Sequence, residues 1–375
     1  MNTSFITYFE KITDPRINRC KIYPLVEIIF LSISAVISGA SGWEEIEDFG
    51  HTKLSWLRQF LPFAAGIPRH DTVARVMSRL KADEIESFFK SWISSLLKDT
   101  GADVIAIDGK TARGSFLSRA RKNPLHIVSA WSCRHQLVLG QTTTHEKSNE
   151  ITAIPELLSL LDIEKSIITL DAMGCQREIA TLIVKKNADY VLALKGNHSG
   201  MKEELEAWWH KVEREGKPSE QYDEYTQIDA GHGRIETRHC EQMLVNKAWL
   251  GKKYRWDGLM SVIKITYETI EKSTGKETRE TRWYISSMGL DAKVALNAVR
   301  SHWQVESMHW ILDMTFREDE SRIRKDRGPL VFNVLRKIAM TVLKKDESKK
   351  ASINRKRKMA CLDDDFRTHL LNSMG

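Results

Sequence analysis

The chain has 375 residues, with 57 Lys and Arg against 50 Asp and Glu and a hydrophobic share of 42%. That length and composition allow two or three domains with a sizeable core, and they exclude wholesale disorder and collagen-like or mucin-like repeats. A net charge of +7 favours a polyanionic partner, while five scattered cysteines (Cys20, Cys133, Cys175, Cys240 and Cys361) give neither a disulfide framework nor a zinc-site spacing.

Residues 1–98 read as a helical N-terminal domain. The most apolar stretch, residues 22–36, is broken by Pro24 and Glu27 and is too short for a membrane span, so it is expected to be a buried helix. The first residues carry Glu10, Lys11 and Asp14 in place of a signal-peptide pattern, which points to a cytoplasmic protein. Trp43, Ile46, Phe49, Leu54, Leu57 and Leu61 recur at roughly helical spacing. A third helix begins near His70, with Val73, Val76, Met77 and Leu80 on one face and Arg75, Arg79 and Lys81 towards solvent. Those cations suit a helix-turn-helix-like DNA contact or, equally, a solvated helix face.

The pattern changes at residue 99. Residues 104–108 form an apolar strand ending in Asp108, two strands follow at 125–132 and 136–143, and a helix spans 154–161. A second apolar strand, 167–171, also ends in an aspartate, Asp171; a helix at 176–186 and a strand at 190–194 complete a mixed α/β order up to residue 198. Residues 199–286 interrupt it with a helix, a Gly-rich charged loop and two strands. Residues 290–314 return to a long helix within a helical segment, 287–343, and a basic tail, 344–375, closes the chain.

Ligands of open α/β sheets lie at the carboxyl ends of strands, so Asp108 and Asp171 are candidates to hold a divalent cation between them. Each is also an ordinary turn or cap residue, and spacing leaves both readings open. His302, Glu306, His309 and Asp313 lie on one face of the long helix. Trp303 and Trp310 beside them are expected to pack against the sheet and leave the stripe facing a polar cleft. Other chemistries fail on inspection. Gly109-Lys110-Thr111 ends like a phosphate loop, but Val104 stands where the first glycine is required, and no Gly-x-Ser-x-Gly elbow occurs.

Ordered motifs then carry a resemblance. They are Asp108-Gly-Lys-Thr-Ala-Arg-Gly-Ser115, Lys147-Ser-Asn-Glu-Ile151, Leu170-Asp-Ala-Met-Gly-Cys-Gln176, Leu194-Lys-Gly-Asn197, Gly231-His-Gly-Arg-Ile-Glu-Thr-Arg238, and His302-Trp-Gln-Val-Glu-Ser-Met-His-Trp310 followed by Phe316-Arg-Glu-Asp319. Together they resemble the H-repeat-associated transposases of bacterial insertion sequences, over nearly the whole chain. The resemblance implies a ribonuclease-H-like mixed-sheet catalytic core with a β-rich insertion, beside the helical N-terminal domain. It implies a catalytic, metal-holding triad of Asp108, Asp171 and Glu306, two Mg²⁺ or Mn²⁺ ions, and double-stranded DNA as the partner. It also implies a homodimer on DNA in the cytoplasm, associated with the nucleoid. The reaction would be hydrolysis at element ends and transfer of the 3′-hydroxyl to target DNA.

Related transposases place Tyr, Arg and Lys around the final acid where this chain has Val299, His302 and Asp313. Arg300, His302, Arg317 and Lys195 are the candidate substitutes. Lys110, Arg113, Arg234, Arg238, Arg322, Arg324, Lys325 and Arg327 complete the expected phosphate contacts, with Arg75 and Arg79 on the N-terminal helix. A nuclease that cuts without joining, and a catalytically inactive DNA-binding relic, are the alternatives.

Overall fold

The computed structural model describes residues 4–18, 21–97, 101–115, 124–144, 150–245 and 252–374; Cys20 and residues 147–149 of the second motif lie outside these. No described helix is long and apolar enough to cross a membrane.

Among the described residues the strands form one mixed sheet. They are β1 (Val104–Ala112), β2 (Leu125–Ser132), β3 (Leu137–Thr144), β4 (Ile167–Leu170), β5 (Asp189–Leu194), β6 (Tyr222–Gly231), β7 (Arg234–Leu244), β8 (Ser261–Glu271) and β9 (Glu277–Ser286). Their order is β3-β2-β1-β4-β5-β9-β8-β7-β6. The meander β1–β3 is antiparallel, and β1, β4 and β5 are parallel neighbours, as short apolar strands joined by crossover helices should be. The segment expected to interrupt the α/β order extends the same sheet, because β9 pairs antiparallel with β5 from Val191↔Ser286 to Leu194↔Trp283.

The region expected as a Gly-rich loop holds the hairpin β6–β7. His232 and Gly233 turn it with φ of 48° and 76°, the positive pair that a two-residue hairpin turn requires. Its strands escape an apolar-run criterion because β6 alternates exposed and half-buried positions without a continuous hydrophobic stretch.

Helices α1 (Ser4–Phe9), α2 (Leu25–Ile37), α3 (Trp43–Leu57), α4 (His70–Met77) and α5 (Ala82–Leu96) form the N-terminal region. Nearly every side chain of α2 is buried, which the apolar stretch around it foretells. Helices α6 (Glu150–Leu160), α7 (Arg177–Lys185) and α8 (Ser199–Glu215) cover one sheet face, where Ile107, Ile168 and Leu192 meet Leu157, Ile183 and Trp209. A short turn, α9 (Lys252–Tyr254), precedes β8. The other face carries α10 (Ala292–Met314), and beyond it α11 (Gly328–Lys345), α12 (Ile353–Leu362) and α13 (Asp364–Asn372).

The N-terminal and C-terminal helices share one apolar core, in which Ile33, Trp92, Phe332, Leu343 and Leu370 pack together. The basic stretch after Lys344 is therefore part of the fold and not a loose tail: Lys345, Lys349, Lys350, Arg355 and Lys358 are exposed, but Lys356 and Arg357 are buried. Arg357 is buried and donates to the Val36, Ala40 and Thr315 carbonyls. Arg367, fully buried, lies 4.0 Å above the Trp56 ring. Basic composition misleads here because arginines can satisfy helix-end carbonyls and cover aromatic faces. Leu370, with no exposed surface, is expected to cost about 2–5 kcal/mol on truncation to alanine; a urea titration reads the loss, and a loosely attached tail would leave stability unchanged.

Candidate active site

The site begins with strand register. The β1–β4 pairing ends at Ile107↔Leu170, so the next residues, Asp108 and Asp171, emerge side by side from adjacent parallel strands. Asp108 is not the last residue of its strand, as the sequence suggested: β1 runs on to Ala112 against β2 alone. Beyond Leu170 the other chain turns away, and Asp171 Oδ1 accepts the backbone N–H groups of Met173 and Gly174 at 2.9 and 3.1 Å. The turn role and the strand-end position thus coexist in one residue.

Helix α10 lies across this point. Asp291 caps it by accepting the Val294 N–H at 2.8 Å, and Leu296, Val299, Val305, Met308 and Leu312 bury its inner face. His309 Nδ1 stands 3.4 Å from Asp108 Oδ2. Burial raises the Asp108 pKa, but the hydrogen bond and charge of His309, with the charge of His302, outweigh it and hold the carboxyl below its usual range. Glu306 is shifted the other way, first by partial burial and then by the Asp108 charge, against the opposing pull of His309, Arg282 and Lys195. Asp171 and Glu306 line one cleft of about 390 Å³ together with Lys195, Lys202, Arg282 and Trp303. Asp108 and Asp171 thus stand at the carboxyl edge of β1 and β4, and Glu306 shares the cleft with Asp171 and lies within electrostatic reach of Asp108.

His302 lies in the same cleft, with Nδ1 3.0 Å from Thr169 Oγ1. Burial lowers its pKa against the pull of the Asp108 and Asp171 charges, which disfavours the charged ring where a phosphate-gripping cation was expected. The tryptophans also depart from expectation: Trp303 is 49% and Trp310 62% exposed. Their indoles lie on the outer side of α10 because the inner side is already filled by aliphatic residues. Trp303 packs on the Arg282 guanidinium, 5.6 Å from the ring centroid.

The expected phosphate contacts divide into two groups. Lys110 is internal: its Nζ lies 2.5 Å from Asp313, 2.8 Å from Glu318 and 3.4 Å from Asp319. It ties β1 to the end of α10 and is no free surface cation. Arg238 pairs with Asp229 and Glu236, Arg234 with Glu236, and Arg300 with Asp229 and Gln227. These three line a second cleft that shares Arg282 and Trp303 with the first. Arg317 is paired with Glu320.

Lys195, Arg113, Arg322, Arg324, Lys325, Arg327, Arg75 and Arg79 are exposed. The 322–327 segment brings several of them together. Arg324 Nε donates to the Gly114 carbonyl at 2.9 Å, and the Arg327 N–H to that of Ser78 at 3.1 Å. Gly114 permits that approach, since a Cβ there would lie 2.2 Å from the Ser321 carbonyl oxygen. Arg282 and Lys202 were missed as site residues, and His309 was placed in the polar stripe without a role. His309, one turn beyond Glu306, was legible on the helix face, whereas Arg282 reaches the cleft only through the β5–β9 pairing.

Among the described residues, the one trio of ligand atoms within 4.8 Å of one another is Glu224, His239 and Glu241 on β6 and β7. Lys217 and Lys264 already neutralise Glu241, at 2.5 and 3.1 Å. Asp108, Asp171 and Glu306 do not form such a trio.

Comparison with known proteins now decides the family. Residues 99–342 match the model of the transposase DDE domain, and residues 6–93 that of the DDE_Tnp_1-associated region. The chain belongs to the DDE-domain transposase family. It is 40% identical over 362 residues to the putative transposase YncI of Escherichia coli O157:H7, covering 96% of this chain and 92% of that protein. It is 40% identical over 356 residues to the H repeat-associated putative transposase YhhI of Escherichia coli K12, covering 94% and 93%. A shorter K12 protein described as the inactive transposase YbfQ is 57% identical over 60 residues, 16% of this chain and 71% of that protein. The transposase-domain match runs from just before β1 to within α11, and so spans all three acids.

Proposed function

We propose that this member of the transposase family cuts phosphodiesters at the ends of an insertion sequence and joins the freed 3′-hydroxyl to target DNA, using Asp108, Asp171 and Glu306 on a ribonuclease-H-like core. The observation that carries this is the register: two aspartates side by side where β1 and β4 part, with a helix glutamate whose carboxyl feels the Asp108 charge. The donor set fits Mg²⁺ or Mn²⁺ by its chemistry: hard carboxylate oxygens whose mutual repulsion a divalent cation would relieve. Such ions, two per site, supply charge neutralisation of the phosphate and an activated attacking oxygen.

The remaining work falls to the chain. His309 orients Asp108 through the 3.4 Å contact. Lys195 and Arg282, whose charges pull the Glu306 pKa down against its burial and the Asp108 charge, face the cleft where the scissile phosphate would lie. Exposed cations just after β1 (Arg113), on and just after α4 (Arg75 and Arg79) and in the 322–327 segment (Arg324, Lys325 and Arg327) would grip the flanking duplex, while Arg234, Arg238 and Arg300 border the second cleft. Two copies would hold the paired ends.

A strand-transfer assay tests the reading: purified full-length protein, DNA carrying the inverted repeats that flank its gene, a target plasmid, and Mg²⁺. Joined products that disappear in EDTA are expected. Cleavage without joining would mark a nuclease, and salt-sensitive binding without cleavage an inactive DNA-binding relic.

A further inference from the structure

Behind the Asp108 backbone, on the sheet face opposite the cleft, sits a buried pair that the proposed reaction does not use. Side chains alternate along β1, so Asp108 and Lys110 face α10 while Ile107, Gly109 and Thr111 face α6. His126 on β2 is the register partner of Thr111, and its Nδ1 lies 2.8 Å from Thr111 Oγ1. Its Nε2 lies 2.5 Å from Glu150 Oε1, at the start of α6, with the two side chains 2% and 7% exposed. Both groups press on Gly109: a Cβ there would stand 2.4 Å from Glu150 Oε1 and 2.5 Å from His126 Nε2. The residue next to the first acid is thus a glycine because an acid–imidazole pair occupies the place of its side chain.

We infer that Glu150 and His126 are positioning residues for Asp108: packed against Gly109 and bonded to Thr111, they fix the β1 backbone so that the Asp108 carboxylate stands at the height of Asp171. Burying an acid and an imidazole is costly unless they are bonded, and an apolar filler would close the same space without bonding Thr111. Backing of this kind acts on a ligand as outer-shell partners do, and its loss weakens metal binding about 10–100-fold. Asp108 is clamped from both sides, by His309 above and by this pair below. The inference rests on the reading that Asp108 holds a divalent ion.

The test measures Mn²⁺ affinity of the folded full-length protein, by the electron paramagnetic resonance of free Mn²⁺, beside its melting temperature. Asp108→Asn serves as the control: if it binds Mn²⁺ as tightly as the wild type, the metal reading itself fails. With that control passed, Glu150→Ala is expected to weaken Mn²⁺ binding about 10–100-fold. Glu150→Gln, which keeps the shape, should restore most of the affinity, and a role in stability alone would move the melting temperature and leave the affinity of the folded protein alone. Gly109→Ala, whose Cβ must displace the pair, should show the same loss and decides the matter if Glu150→Ala does not fold. Wild-type Mn²⁺ affinity in folded Glu150→Ala or Gly109→Ala overturns the inference.

Discussion

Asp108→Asn is expected to reduce strand cleavage about a thousandfold, on the order of 4 kcal/mol of barrier, while DNA binding and its salt dependence stay at wild-type values. The substitution keeps the shape of the side chain and removes one anionic donor from the proposed set of three. Because His309 bonds the carboxylate at 3.4 Å, the amide also loses a charge-assisted contact that orients the group. Glu306→Gln should behave in the same way, since its carboxyl shares a cleft with Asp171 and feels the Asp108 charge. A single-turnover assay on end-labelled DNA measures the loss. Cleavage at the wild-type rate by either variant would remove that residue from the triad.

Glu318→Ala should have the largest effect on stability, about 3–5 kcal/mol, because it breaks a buried ion pair from one side. The carboxylate is 2% exposed and meets Lys110 Nζ at 2.8 Å, Asn333 Nδ2 at 2.7 Å and the Arg336 guanidinium at 3.6 Å. Burial pushes its pKa up, but the Lys110 and Arg336 charges outweigh this and hold it down at about 2. Without Glu318, the buried Arg336 keeps no acidic ion-pair partner among the described residues, while Lys110 retains Asp313 and Asp319. The sign of the pH dependence follows. A depressed carboxyl stabilises the fold above its unfolded value near 4.5, and that contribution is lost as pH falls from there towards 2. Urea titrations of wild type and variant at pH 7 and pH 3 would read both effects. Equal stabilities at pH 7 would mean that the cluster is not buried in solution.

Much of this architecture was legible in the residues. Short apolar runs at 104–108, 125–132, 167–171 and 190–194 mark strands because a sheet covered on both faces needs continuous hydrophobic stretches, and those strands appear in the expected order. The long helix carrying Glu306 was likewise readable from the recurrence of His302, Glu306, His309 and Asp313. Where the pattern was weak, the reading failed for identifiable reasons. The β6–β7 hairpin is built from charged and half-exposed positions, so periodicity of burial could not expose it. Trp303 and Trp310 were placed inward on size alone, yet aliphatic neighbours had taken that side of α10. The basic run after Lys344 reads as a tail, and five of its cations are exposed, but Lys356 pairs with Asp346 at 3.0 Å and Arg357 is buried against backbone carbonyls.

What the sequence determined alone is the chemistry on offer and its order along the chain: two strand-borne aspartates, a helix-borne glutamate, and the motifs that mark the transposase family. Those depend on residue identity and local spacing, which are one-dimensional. The tertiary structure decided which charges face a substrate and which are spent inside. Lys110, Asp313 and Glu318 come together only when β1 meets the end of α10, and His126 reaches Glu150 only when α6 closes over β2. Pairing between distant segments is set by strand register and helix packing, and a charged side chain looks the same in sequence whether it ends in water or against a buried partner.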